Sequence, residues 1–305
     1  MPRRAPPVRA RRGTGFIGQR FDEDAGLLYL NARYYDPKLG LFVQPDWWEV
    51  TRAGVGTNRY GYSGGDPVNG NDPGGHVSVT DAFKLSRAAY ENGKGVPGFE
   101  RLNDTRLRGI GLGKAKFRDT KTGLDASLFR NIKTNEYTLA FAGTTNNTDW
   151  RRGNIPQVVG TSSQYKDAVR LARKVATAVG KIKDADLSFV GHSLGGGEAA
   201  VSAWAVHNPQ FREAKTFNAA GVSIVTLART AQTVFAKTEV DNYWVIGDPL
   251  SAANLNAFAP GAMGRQHPMH VSPGFSAATI VGYHGLDAVN DALINSGYWD
   301  NGEGR

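Results

Sequence analysis

The spacing of apolar residues changes character near residue 76, and the two regimes predict different structures. From 15 to 75 the apolar residues come in short runs, such as Leu-Leu-Tyr-Leu-Asn-Ala-Arg-Tyr-Tyr at 27–35. Gly, Asn, Asp and Pro break these runs, as in Asp-Pro-Lys-Leu-Gly at 36–40. Short runs bounded by turn formers predict strands joined by tight turns. From 77 onward helical and strand spacings alternate. Asp81 is placed to cap a helix through Tyr90, and 127–133 with 137–141 predict a hairpin turning at 134–136. Ser162 or Ser163 can cap a helix in which Ala168, Val169, Ala172, Val175, Ala176 and Val179 recur at helical spacing, ending at Gly180. Strands are expected at 187–190, 215–218 and 242–246, and a last helix at 284–294, whereas 91–126 gives only weak patterns.

One stretch adds chemistry to this pattern. Apolar Leu187, Phe189 and Val190 run into Gly-His-Ser-Leu-Gly at 191–195, and Ala199, Ala200, Val201, Ala203, Trp204 and Val206 follow on a helix. Strand, glycine turn with one serine, and helix form a nucleophile elbow, in which Gly191 and Gly195 leave room that a Cβ would fill. The helix start supplies free N–H groups and a positive dipole end where an oxyanion would form. With the βαβ alternation, this predicts an α/β class protein: an α/β-hydrolase domain over 76–305, a small β-rich segment over 15–75, and a disordered basic start at 1–14.

Composition narrows the chemistry. The 305 residues include no cysteine, which excludes a disulfide scaffold, a thiolate metal site and a cysteine nucleophile. The first residues lack the apolar region of a signal peptide, and no apolar run reaches the ~20 residues of a membrane span. The net charge of +8 is diffuse, with 10 basic against 8 acidic side chains in 1–76 and 26 against 20 in 77–305. Only Arg3, Arg4, Arg9, Arg11 and Arg12 cluster. A solvated basic surface, or one suited to an anionic membrane, fits this better than a nucleic-acid stripe.

A serine nucleophile needs a base, an acid that orients the base, and oxyanion donors. In this fold class the order is serine, acid, histidine. Asp248 leaves the apolar strand at 243–247 and is favoured over Asp241, at the opposite strand end, and Asp287, a first-turn helix carboxylate. His284 opens a helix after a loop and is favoured over His207, at the far end of the elbow helix, and over His267 and His270, in a Gly/Pro-rich stretch that reads as a surface flap. His192 is expected to point away from Ser193. The strand at 139–141 runs into Ala-Gly-Thr-Thr at 142–145, so the amides of Thr144 and Leu194 are the candidate oxyanion donors. No cofactor or metal is expected.

Two resemblances extend this reading. Thr-Gly-Phe-Ile-Gly-Gln-Arg-Phe-Asp at 14–22, Ala-Arg-Tyr-Tyr-Asp-Pro-Lys-Leu-Gly-Leu-Phe at 32–42, Asn-Arg-Tyr-Gly-Tyr at 58–62 and Asp-Pro-Gly-Gly at 72–75 resemble the carboxy-terminal end of an Rhs repeat-associated core. That resemblance implies a variable toxin domain after the boundary, and Asp46 with Asp72 as a self-cleavage pair acting near His76. The family's usual residues after these motifs are replaced by Trp47 and His76, and turn-shaping aspartates are the alternative. Ala-Phe-Ala-Gly-Thr-Thr at 140–145, Asp149-Trp150 with Asn154 and Gln157, the elbow, Thr-Phe-Asn-Ala-Ala-Gly-Val-Ser at 216–223 and His-Gly-Leu-Asp-Ala-Val at 284–289 resemble the class 3 lipases, more narrowly their type VI secretion effector branch. This implies Ser193 as nucleophile, Asp248 as acid, His284 as base and Thr144 as oxyanion donor. The family's frequent Arg before the oxyanion glycine is Ala142 here. It further implies a secreted effector made in the cytoplasm without its own signal peptide. Such an effector would act on phospholipids from the periplasmic side of a target membrane, with a cognate immunity protein and secretion-spike components as partners and no nucleic acid. A lid is expected in 251–283 or 146–161. A soluble carboxylesterase and a non-catalytic interaction module are the alternatives.

Overall fold

A computed structural model describes residues 12–14, 20–22, 25–30, 33–44, 60, 78–91, 95–132, 134, 136–143, 162–183, 185–206, 208, 211, 213–230, 238–255, 260–276 and 280–298. The chain forms two compact units, one of residues 1–78 with 300–305 and one spanning Val79–Trp299.

In the smaller unit β1 (Arg12–Thr14), β2 (Arg20–Asp22), β3 (Leu27–Leu30), β4 (Arg33–Asp36) and β5 (Leu41–Phe42) pair antiparallel in sequence order. Pairing begins inside the basic start expected to be disordered, because the Arg12–Thr14 backbone finds partners in register along β2. The β4–β5 turn follows from its residues: the Asp36 carboxylate accepts the Lys38 and Leu39 N–H groups, and Gly40 closes it at φ 68°. Leu28 is buried, and Tyr35 packs edge-on against Phe42 at 6.0 Å.

The larger unit is built on an eight-stranded mixed sheet. Its strands are β6 (Phe99–Arg101), β7 (Arg118–Asp119), β8 (Leu124–Asn131), β9 (Glu136–Phe141), β10 (Asp186–His192), β11 (Glu213–Phe217), β12 (Glu239–Val245) and β13 (Arg265–Met269). The order is β13-β12-β11-β10-β9-β8-β6, with β7 also on β8. The pairs from β9 to β13 are parallel, and β8 is antiparallel to both β9 and β6. β10 is buried at every position, Asp186, Ser188 and His192 included, as a central parallel strand covered on both faces is.

The helices are α1 (Val79–Tyr90), α2 (Asp104–Gly109), α3 (Ser163–Val179), α4 (Leu194–Ala205), α5 (Ile224–Thr230), α6 (Pro249–Leu255) and α7 (Leu286–Asn295). Ser162 caps α3, accepting the Tyr165 N–H, and every residue of its apolar stripe is buried. α1 begins two residues before Asp81, which therefore sits in its first turn and is not its cap. His284 does not open the last helix: it ends a 3₁₀ turn at Ile280–His284, and Gly285 caps α7.

The largest departure from the sequence reading lies between 251 and 283. The Gly/Pro-rich stretch holds α6 and the sheet-edge strand β13, so His267 is a strand residue, bonded to Asp241 at 2.7 Å, and not part of a flap. Pro268 fits there because an edge strand has one side without a ladder. The other candidate lid, 146–161, lies outside the described residues.

Candidate active site

The geometry at Ser193 follows from crowding. This residue has φ 58° and ψ −127°, a backbone state that side chains rarely adopt, and it joins β10 to α4. A Cβ on Gly191 would come within 2.2 Å of the Gly195 carbonyl oxygen, and one on Gly195 within 2.3 Å of the Phe141 carbonyl oxygen. Only glycine lets strand, turn and helix approach so closely. The turn is pinned by the Ser193 N–H donating to the Phe217 carbonyl at 3.0 Å and by the Ala220 N–H donating to the Ser193 carbonyl at 2.8 Å.

Three side chains from separate segments converge on this turn. His284 Nε2 lies 2.7 Å from Ser193 Oγ, and His284 Nδ1 lies 2.8 Å from Asp248 Oδ1. A carboxylate only accepts, so Nδ1 carries the proton and Nε2 is free to take one from the serine hydroxyl. Asp248 is reached from β12 through Gly247, whose φ of 100° makes the turn. It is fully buried and accepts hydrogen bonds from the Leu250 N–H, the Ser251 N–H and the Ser251 hydroxyl. Burial raises its pKa, but the bonds from His284 and Ser251 outweigh that and hold the carboxyl below its usual range, so it remains ionised.

Behind the triad is a network that the sequence reading did not contain. His192 points away from Ser193 as expected, and its Nε2 lies 2.7 Å from the His284 backbone carbonyl. That carbonyl only accepts, so Nε2 bears the proton and Nδ1 faces the Tyr90 hydroxyl at 2.9 Å. Burial, with His284 adding to it, lowers the His192 pKa to about 3 and keeps the ring neutral. Asn218, at φ 42°, donates to the Tyr283 and His284 carbonyls and accepts the Val245 N–H. His284 is thus fixed through its backbone as well as its ring. The signal for His192 was its place beside the nucleophile; Tyr90 and Asn218 gave none, since their partners are 102 and 66 positions away.

At the oxyanion side, Leu194 is the first residue of α4, where N–H groups have no acceptor within the helix. The exit of β9 reaches the same place: a Cβ on Gly143 would sit 3.2 Å from Ser193 Cβ and 2.4 Å from the Tyr90 hydroxyl. Thr144, the other oxyanion candidate, lies outside the described residues, as do Asp46, Asp72, His76 and His207. Of the histidines and acids not favoured, Asp241 pairs with His267, and Asp287 reaches Arg87 at 3.2 Å. His270 is exposed. Among the described residues no group of three or more His, Cys, Asp or Glu could hold a metal ion.

The chain is similar to several known proteins. Over 147 residues the chain is 45% identical to the extracellular phospholipase A1 of Serratia liquefaciens, a match covering 48% of this chain and 43% of that protein. Over 93 residues it is 36% identical to the tRNA(Glu)-specific nuclease WapA of Bacillus subtilis subsp. natto, covering 27% of this chain and 4% of that protein. The chain therefore spans less than half the length of these curated relatives. Lipase II from Rhizopus niveus is similar at a TM-score of 0.43 and 16% identity, over 64% of this chain and 81% of that one. The family model for the Tle-like phospholipase domain matches residues 81–288, from the first turn of α1 to four residues past His284, and the chain belongs to that family.

Proposed function

We propose that the chain is an acyl ester hydrolase acting on membrane phospholipids, with Ser193 as nucleophile, His284 as general base and Asp248 as its orienting acid. The observation that carries this reading is the unbroken Ser193–His284–Asp248 hydrogen-bond chain at 2.7 and 2.8 Å. The serine hydroxyl adds to the ester carbonyl as its proton passes to His284 Nε2. The tetrahedral oxyanion is met by the Leu194 and Thr144 N–H groups. Collapse expels the alkoxide, which takes the proton from His284, and leaves an acyl-enzyme. Water, deprotonated by the same nitrogen, then releases the fatty acid and restores Ser193.

In this reading residues 15–75 are the end of an Rhs-type core and 76–305 the toxin that follows it. The short match to a small part of the much longer WapA supports a shared segment carried by large multi-part proteins. The protein is then an antibacterial effector, with a cognate immunity protein covering the mouth around Ser193. Type VI secretion components would deliver it, and self-cleavage near His76 belongs to Asp46 and Asp72.

Product analysis on phospholipid vesicles tests the activity. The wild type is expected to release fatty acid and lysophospholipid, and Ser193→Ala neither. Cleavage of a soluble short-chain ester with intact vesicles would replace the phospholipase reading by a carboxylesterase. Silence in both assays would favour an interaction module.

A further inference from the structure

The elbow helix α4 is buried along almost its whole length, and within it Glu198 has no exposed surface. The triad gives this carboxyl no task. Among the described residues no cation is ion-paired with it, and a carboxylate in such a place is costly without one.

Its neighbours on the helix fix where it stands. Gly195 packs so closely on the exit of β9 that a Cβ there would come within 2.3 Å of the Phe141 carbonyl oxygen and 2.9 Å of the Ala142 carbonyl carbon. Glu198 follows Gly195 by three residues and Leu194 by four, so it shares the helix face that meets this exit. Helical side chains lean back toward the N-terminal end, and about 6 Å of axis separates Glu198 from Leu194. The carboxyl therefore lies behind the turn where the Leu194 N–H and the β9 exit meet the oxyanion.

The elements packed around it supply Gln164 from α3, Asp125 from β8 and Tyr90 from α1. Gln164 is anchored through Nε2, which donates to the Gly123 carbonyl at 3.0 Å. Asp125 is tied to the oxyanion strand, because its backbone carbonyl accepts the Ala142 N–H at 2.9 Å. Burial raises the Glu198 pKa well above the ordinary 4.5; the Gln164 side chain opposes that shift and the Asp125 charge adds to it. Burial raises the Tyr90 pKa too, so its hydroxyl is neutral.

We propose that Glu198 is a positioning residue that acts as a pH gate on acyl transfer: as a neutral acid it supports the oxyanion turn from behind, and as a carboxylate it opposes the negative charge developing on the ester oxygen. This rests on the reading of Ser193 as an acyl-transfer nucleophile and adds to it control by proton concentration. As pH rises, His284 becomes a free base and the rate climbs; at higher pH Glu198 ionises and the rate falls. One charge at about 8 Å, with an effective dielectric constant of about 20, slows the step about 30-fold.

Initial rates of the full chain on a soluble short-chain ester across pH test this, beside the rate at which a fluorophosphonate labels Ser193. A melt at each pH restricts the comparison to folded protein. The wild type is expected to lose kcat about 30-fold on the alkaline side with KM little changed. Glu198→Gln keeps the shape without the charge and should remove that fall. Two neighbouring variants should move it in opposite directions, Gln164→Leu to higher pH and Asp125→Asn to lower pH. An alkaline fall that survives in Glu198→Gln, or that neither neighbour moves, would overturn the proposal. A wild-type rate that stays level as pH rises would do the same. Labelling with the expected profile, but no fatty acid released from phospholipid vesicles, would refute the phospholipase reading and leave the gate intact.

Discussion

Ser193 is held in a backbone state that costs of order 1–3 kcal/mol and persists because its neighbours dictate it. Ser193→Gly should therefore raise stability by about 0.5–1 kcal/mol while abolishing activity, and a thermal melt beside an ester assay would show the two effects move in opposite directions. Asp248→Asn preserves the shape but removes the charge that keeps the proton on His284 Nδ1, so kcat is expected to fall about 10⁴-fold with the fold intact. Tyr90→Phe removes the hydroxyl that faces both His192 and Gly143. Its effect should be on kcat rather than KM, at about tenfold, and rates unchanged from the parent would show that this network is only packing. Ser193, Asp248 and His284 were legible in the sequence because each stands at a strand exit or a turn with its own local signature. Tyr90 and Asn218 were not, because their partners come from distant segments that only folding brings together.

Two of the buried titratable side chains in these elements, His192 and Glu198, have opposite consequences for stability. His192, at the end of β10, titrates near 3 instead of the ordinary 6.5, so the unfolded chain binds its proton first on acidification. Its contribution is complete above about pH 6.5 and is lost as pH falls towards 3, amounting to about 2 kcal/mol by pH 5. Glu198, on α4, is fully buried, and burial outweighs the approach of the Gln164 side chain and raises its pKa well above the ordinary 4.5. The folded state therefore keeps that proton, and stability declines as pH rises above 4.5. Melting temperatures across pH should show His192→Gln flattening the acid limb and Glu198→Gln the alkaline limb; unchanged slopes in both variants would contradict this. The periodic helix α3 was legible because burial follows its spacing, and the hairpin of β8 and β9 because turn-forming residues separate two short apolar runs. Strand β13 was not, since Pro268 within it and Gly261, Gly264 and Gly274 around it read as turn signals, although a sheet edge tolerates a proline.

For the whole molecule, the division near residue 78 coincides with the change in hydrophobic spacing, because short strands and a parallel sheet bury their apolar residues in different patterns. A fragment of residues 79–305 is expected to fold with one cooperative transition and to keep the ester-hydrolase activity of the full chain; loss of either would make the first unit part of the enzyme. The most direct test of the central claim, that Ser193, His284 and Asp248 form one catalytic machine, is covalent labelling with a fluorophosphonate, read by mass spectrometry. The account predicts one adduct per chain, on Ser193, formed quickly in the wild type and very slowly in His284→Ala. An adduct on another serine, or labelling that proceeds at the same rate without His284, would contradict it.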